Sequence, residues 1–579
     1  MSLVIHYENG KLIKSEQNYI RTTPSPIYLS EDGKTFIMGE VFGASYKDII
    51  NTNWMDDPFV LDNFQGAISV SYADENRCVF ASDMNGIEIW YVYHKDKTFI
   101  LSDNFWDIVK IIQPSLDDID RERARMTLLS PSAYGDTLIK NLKFLLPSMI
   151  GEYIPITNTL SMKKYREFKY SGEVSDVNVA VEHVDAILDD TMSNLKNKFG
   201  NVKYGLGVSG GLDSRIIPHY AKKHNMELVG YNLCVPRPRG IFLAQSCKNA
   251  EKISGIYDIP LTFVKWNANT VNEKIATKVM YYPLGASRNS FKYDESLDFF
   301  DIMLNGGAGE IVGGALPANI EDLTEQQLFG IMKEFFSSVY YASSFKARAS
   351  RAMKFIFGSK KETRSLSAIC LLLDKNDIEN VENEIYCYIK HGKKIGQTNT
   401  EIYEDFMINI CSSRNRFGGF ESMLGQNKSF SIYIPFLLGE VMTWDQNLLY
   451  NRKVLNELIL QKIPEVKDVQ SELFSPAPGK KVTVINKITG MLSFLIRGNG
   501  TAIDQYWIKK RSVKKCLKRR LSNGCSWFFD VFNTNEKELT KLVFDSKEAP
   551  FMINVWEYKT LVDVIETKEY LNFDFSEET

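Results

Sequence analysis

The stretch Ser209-Gly210-Gly211-Leu212-Asp213-Ser214, set in YGLGVSGGLDSRIIPHYAKKH, constrains this chain more than any other. Residues 204–208 form an apolar, β-rich run that enters a Ser/Gly loop. The loop opens into a segment with Ile216, Ile217, Tyr220 and Ala221 at helical spacing. Strand, glycine loop and helix together make a cup for an anionic phosphate: glycines admit the backbone, and the helix N-terminus adds partial positive charge. Ser209, Gly210, Gly211, Leu212 and Ser214 are the candidate phosphate binders. Asp213, expected in the loop, offers a carboxylate for Mg²⁺. The Gly-Lys-Ser/Thr ending of the Walker loop is absent. An ordinary Ser/Gly turn before a helix is the plain alternative, but six such positions arise by chance on the order of once per thousand chains of this length.

Around this loop the pattern is α/β. Val181, Val184, Ile187, Leu188, Met192 and Leu195 form one helical stripe. Residues 228–234 read as a strand, 241–254 as a helix and 261–266 as a strand. Such alternation predicts a doubly wound parallel sheet, with ligands at the carboxyl ends of its strands. Residues 320–460 read as mostly helical. Residues 1–170 are different, with short apolar runs at 35–41, 66–72, 78–81, 87–93 and 98–101 separated by turn signals. They predict an α+β domain built on a β sandwich, joined through a linker at 171–176.

The chain has 579 residues and a net charge of −3, which argues against a polyanionic partner. One exception is a crowded basic segment: Lys509, Lys510, Arg511, Lys514, Lys515, Lys518, Arg519 and Arg520 share one predicted helix. It is either a solvated face or a surface for an anionic partner such as tRNA. No apolar run reaches eighteen residues, so no membrane helix is expected. Eight scattered cysteines without a CxxC pair suggest reduced thiols and a cytoplasmic setting.

The six loop positions resemble the pyrophosphate loop of ATP pyrophosphatases. With the region upstream, they resemble the asparagine synthetase family. The N-terminal stretches that carry this resemblance are FIMGEVFG (36–43), NFQGAISVSY (63–72), SDMNGIEIWYVY (82–93), LSDN (101–104) and YGDTLIKNLKFLLP (134–147). LNGGAGEIVGG (304–314) resembles the family's second glycine-rich loop, and RNRFGGFESML with YIPFL (433–437) its later segments. The resemblance implies three regions: a degenerate glutaminase-like domain of Ntn-hydrolase type (1–170), an ATP-dependent synthetase domain (177–480) and a helical C-terminal extension with the basic helix (481–579).

It also implies the chemistry of a carbon–nitrogen ligase. ATP and Mg²⁺ would activate a carboxylate, of a small molecule or a peptide, as its adenylate. An amine or ammonia would then attack, with AMP and pyrophosphate released. Asp213 and Glu310 would hold Mg²⁺, Gly306 would approach the phosphates, and the backbone at Leu233 would meet adenine. β-Lactam synthetases and lasso-peptide cyclases are specialised relatives of this kind. A homodimer or a biosynthetic partner protein is compatible with the reading.

Three departures bear on it. Position 2 is Ser2 where the family's glutaminase has its nucleophilic Cys, which implies no glutamine hydrolysis. Gly309 stands where the family has an Asp. The family's catalytic lysine has no counterpart at its usual spacing, leaving Lys467, Lys480 and Lys481 as candidates, with Lys480 or Lys481 favoured. A catalytically impaired scaffold subunit is therefore the rival expectation.

Overall fold

The computed structural model describes residues 3–15, 27–129, 134–234, 243–265, 299–306, 312, 320–335, 373–409, 428–433, 437–469, 478, 515, 518–519, 521–522, 526–546 and 549–568. The N-terminal lobe is two antiparallel sheets. One runs β2-β1-β8-β7-β9, from β1 (Val4–Glu8), β2 (Lys11–Ser15), β7 (Tyr91–Lys95), β8 (Thr98–Ser102) and β9 (Leu142–Phe144). The other runs β11-β10-β6-β5-β4-β3, from β3 (Ile27–Leu29), β4 (Thr35–Phe42), β5 (Gln65–Ala73), β6 (Cys78–Ser82), β10 (Met149–Ile154) and β11 (Thr159–Lys164).

Alternation along the strands sets the layers. Ile5, Tyr7, Phe99 and Leu101 meet Phe36, Met38, Phe80 and Tyr153 between the sheets. Their neighbours Ile37, Val41, Val79 and Ala81 face outward onto α1 (Tyr46–Ile50) and Trp54. On the opposite side, Val4 and Ile100 take the amphipathic α2 (Phe105–Ile112). The sandwich expected from the sequence is present, flanked by a helix on each side. Residues 87–90 are not strand, contrary to expectation. They follow a turn in which Asp83 accepts from the amides of Asn85 and Gly86, and the carbonyl of Glu88 is taken by the Ser69 hydroxyl at 2.6 Å.

The second lobe begins with α4 (Val177–Phe199), N-capped by Asp176, and its apolar stripe is buried as predicted except that Ile187 is only partly covered. It continues through β12 (Lys203–Gly207), α5 (Leu212–Lys223), β13 (Glu227–Cys234), α6 (Leu243–Ile256), β14 (Leu261–Lys265), β15 (Ile302–Asn305) and, after the helices α7 (Glu325–Phe335), α8 (Lys375–Lys394) and α9 (Asn399–Met407), β16 (Lys428–Ser431). These five strands form one parallel sheet in the order β14-β13-β12-β15-β16. The strand β16 interrupts a region expected to be helical. Gly205 is required in β12, because a Cβ there would lie 2.4 Å from the ring of Phe300.

The 171–176 segment is exposed but tethered: Val174 bridges Trp444, and the Ser171 amide donates to the Met442 carbonyl. α10 (Leu437–Val441), α11 (Lys453–Lys462), α12 (Ser526–Val531), α13 (Glu536–Ser546) and α14 (Ala549–Thr567) complete the described elements. α14 returns to pack on α3 (Arg121–Leu129) of the N-terminal lobe. Of the basic segment, Lys515, Lys518 and Arg519 are helical and exposed, and the rest lies outside the described residues. Cys247 is disulfide-bonded, which corrects the expectation of reduced thiols throughout; Cys78 and Cys387 are free. A disulfide needs two Cβ atoms brought together by tertiary structure, and linear spacing does not reveal that. No described helix is long and apolar enough to cross a membrane.

Asp83 gives the fold a pH dependence. Burial pushes its carboxyl up to about 7, helped by the nearby Asp62 charge and opposed by the amides of Ile68, Gly86 and Asn85. A carboxyl raised in the folded state favours folding fully at low pH and loses that contribution as pH climbs from about 4 to about 7. Urea unfolding at pH 5 and pH 7.5 should show the loss. Asp83→Asn should flatten the difference, and an equal slope in the variant would contradict the assignment.

Candidate active site

Gly211 is the N-cap of α5 in an extended conformation, and no side chain caps the helix. Helix amide donors near its start therefore face the loop without the usual Ser, Thr or Asp oxygen. Within the loop, the hydroxyls of Ser209 and Ser214 lie 2.8 Å apart, and Ser209 Oγ accepts from the Gly211 amide at 3.1 Å. Gly210 is buried; Ser209, Gly211, Leu212, Asp213 and Ser214 are partly accessible. Asp213 is not in the loop. It occupies the first turn of α5, because Gly211 ends the loop one residue after Gly210.

Arg215 lies beneath this turn with 0% exposure. Its Nη1 donates to the Val469 carbonyl at 2.6 Å, its Nε to the Gly211 carbonyl at 3.3 Å, and its Nη2 to the Gly210 carbonyl. The loop's carbonyl dipoles are thus turned inward, away from the mouth where an anion would sit.

The neighbouring strand delivers the second motif. β15 pairs with β12 in parallel, and the strand order reverses between them. Ligands of open α/β sheets sit at such a reversal. Gly306 follows β15 and abuts the start of α5: a Cβ there would be 3.1 Å from the Asp213 carbonyl carbon and from the Ser214 amide nitrogen. The two glycine motifs, about a hundred residues apart in sequence, are brought together here. Leu233 lies at the carboxyl end of β13, opposite Val264 of β14. Glu310, Lys480, Lys481 and Ser2 lie outside the described residues, as does the RNRFGGFESML stretch.

Two residues that sequence spacing did not single out meet Asp213. Tyr433, from the YIPFL segment, donates its hydroxyl to the Asp213 carbonyl at 2.7 Å. Arg452 sets its guanidinium 3.4 Å from the Asp213 carboxylate. Arg452 is the N-cap of α11, and both it and Asn451 are left-handed, with φ of 54° and 57°. This backbone is sparsely populated for non-glycine residues and marks functional sites often enough to be noticed. The only sequence signal was the Asn-Arg pair just before a helical stripe. Lys467 is exposed on the turn after α11.

Asp213 offers one carboxylate that could hold a magnesium ion, which commonly takes its remaining oxygens from phosphates and water. Among the described residues no group of three His, Cys, Asp or Glu side chains gathers, so no all-protein metal cage is present there.

Arg215→Met should destabilise the fold by roughly 2–4 kcal/mol, because the carbonyls of Gly210, Gly211 and Val469 lose their donor. Urea denaturation followed by circular dichroism measures this. A change below about 0.5 kcal/mol would mean that the carbonyls find other partners.

No protein-family model matches the chain, and no curated protein is detectably similar to it. Among solved structures it is similar to one titled the allosteric regulatory enzyme of purine biosynthesis, with 8% identity and a TM-score of 0.18, over 43% of this chain and 72% of that one. It is also similar to glutamine phosphoribosylpyrophosphate amidotransferase from B. subtilis complexed with ADP and GMP, with 9% identity and a TM-score of 0.17, over 55% and 76% of the two chains. At such TM-scores neither similarity supports a reading of fold or activity.

Proposed function

We propose that this chain is an ATP-dependent, AMP-forming carbon–nitrogen ligase of asparagine synthetase type that does not hydrolyse glutamine. The observation that carries the reading is the Arg452 guanidinium beside Asp213, at the first turn of an uncapped helix that follows a Ser/Gly loop. The amides of the loop and the Ser209 and Ser214 hydroxyls bind phosphate oxygens. Arg452 presents a fixed fork of N–H donors where charge gathers as the α-phosphorus is attacked by a carboxylate. It supplies a cation at this site; Lys480 and Lys481, favoured from the sequence, lie outside the described residues. Asp213 would hold Mg²⁺, which when bound neutralises phosphate charge. Tyr433 fixes the Asp213 backbone, so that the carboxylate keeps its aim.

The bond chemistry needs no protein nucleophile. A substrate carboxylate oxygen displaces pyrophosphate from ATP. An amine or ammonia then displaces AMP from the acyl group, and the loop and Arg452 orient and stabilise both steps. Gly309, in place of an acidic residue, favours a second reading, an ATP-binding scaffold without turnover.

With its carboxylate substrate, the protein should convert ATP to AMP and pyrophosphate; ADP and phosphate as products would sink the proposal. Arg452→Met should slow adenylation by about 10²-fold or more, and Arg452→Lys should recover part of it. Asp213→Ala should abolish pyrophosphate exchange. ATP binding without turnover for every carboxylate tried would favour the scaffold reading. Incubation with glutamine and ATP should release no glutamate above background.

A further inference from the structure

Asn232 lies at the carboxyl end of β13, one residue before Leu233, and is 6% exposed. Its Nδ2 donates to the carbonyl of Val208, 2.6 Å away, at the point where the chain leaves β12 for Ser209. Its Oδ1 is buried and has no hydrogen-bond partner among the described residues. The orientation is not arbitrary. The Val208 carbonyl requires a donor, and turning the amide over would set two oxygens against each other. Buried acceptors in folded proteins are nearly always paired, and leaving one unpaired is costly. This one sits next to the Ser/Gly loop, at the strand ends where an open α/β sheet receives its ligand.

An oxygen can accept only from N–H or O–H. Adenine carries such a donor, its 6-amino group, whereas hypoxanthine and guanine carry a carbonyl oxygen at that position. We propose that Asn232 Oδ1 accepts a hydrogen bond from the 6-amino group of bound ATP, and so makes the site selective for adenine over 6-oxopurine nucleotides. The inference rests on the reading of this loop as an ATP site. The Val208 bond gives the selection its rigidity. It fixes the acceptor to the same backbone that enters the phosphate loop, so base and phosphates are measured from one frame. A 6-oxopurine would bring an acceptor against Oδ1 and leave both unpaired, which is the arrangement that discriminates most strongly.

The test is calorimetric titration of the full chain with the magnesium complexes of ATP, ITP, 2′-deoxy-ATP and 3′-deoxy-ATP. Wild type should bind ATP roughly tenfold or more tightly than ITP, the scale of one lost buried hydrogen bond. Asn232→Leu keeps the volume and removes the acceptor; its ATP-to-ITP ratio should fall towards one. A role limited to holding Val208 would weaken both nucleotides equally and leave the ratio unchanged in the Leu variant, overturning the proposal. A changed preference against the deoxy forms alone would assign the amide to the ribose and overturn it too. Should the Leu variant fail to fold by thermal melting, a wild-type ratio near one has the same consequence. A wild type that binds ITP and ATP alike sinks only this inference, whereas one that binds no nucleotide sinks the ATP reading along with it.

Discussion

A guanidinium without access to solvent holds the glycine loop in shape. Arg215 takes the carbonyls of Gly210, Gly211 and Val469 at once. A buried cation of this kind is tolerable only when its donors are matched, and backbone carbonyls match them without adding a counter-charge. The segment 452–469 is thereby clamped to α5 at three points: Arg452 at Asp213, Glu465 at His219, and Val469 at Arg215. The cation that faces the site and the loop that would hold the anion are thus parts of one rigid piece.

The local grammar of this chain was readable because periodicity reports directly on layers. The strands expected at 204–208, 228–234 and 261–266 appear within a residue or so as β12, β13 and β14. Gly306 was identifiable by its glycine motif, and its approach to Asp213 follows from the parallel pairing of β15 with β12. What escaped notice depends on the return of distant chain. Arg452 reaches Asp213 across more than two hundred residues, through a left-handed turn that carries no glycine to announce it. Tyr433 follows a strand, β16, whose short segment KSFS has no alternation strong enough to separate it from the helices around it. Lys480 and Lys481, the cations favoured from the sequence, lie outside the described residues, whereas the guanidinium that meets Asp213 comes from an element more than two hundred residues away.

The two lobes are not independent bodies. Lys198 of α4 pairs with the buried Glu40, donates to the Val41 carbonyl at 3.0 Å, and lies 5.1 Å from the ring centroid of Phe42. Gln65 bonds to Thr191 and Asn194, while Lys164 meets Asp405 at 2.7 Å. One apolar cluster runs from Val4 and Ile100 through Val184 and Leu188 to Tyr204 and Ile216. Glu40, in the stretch FIMGEVFG, is thus occupied by a lysine of the neighbouring lobe.

That continuity of the core bears on how such a chain can change over generations. The sandwich itself cannot be discarded. A deletion ending before α4 would strip Lys198 of its carboxylate and aromatic neighbours and expose the apolar side of the second lobe to water, at about 25 cal/mol for each Å² laid bare. Inheritance is therefore obliged to keep the architecture of the first lobe, whatever becomes of its surface.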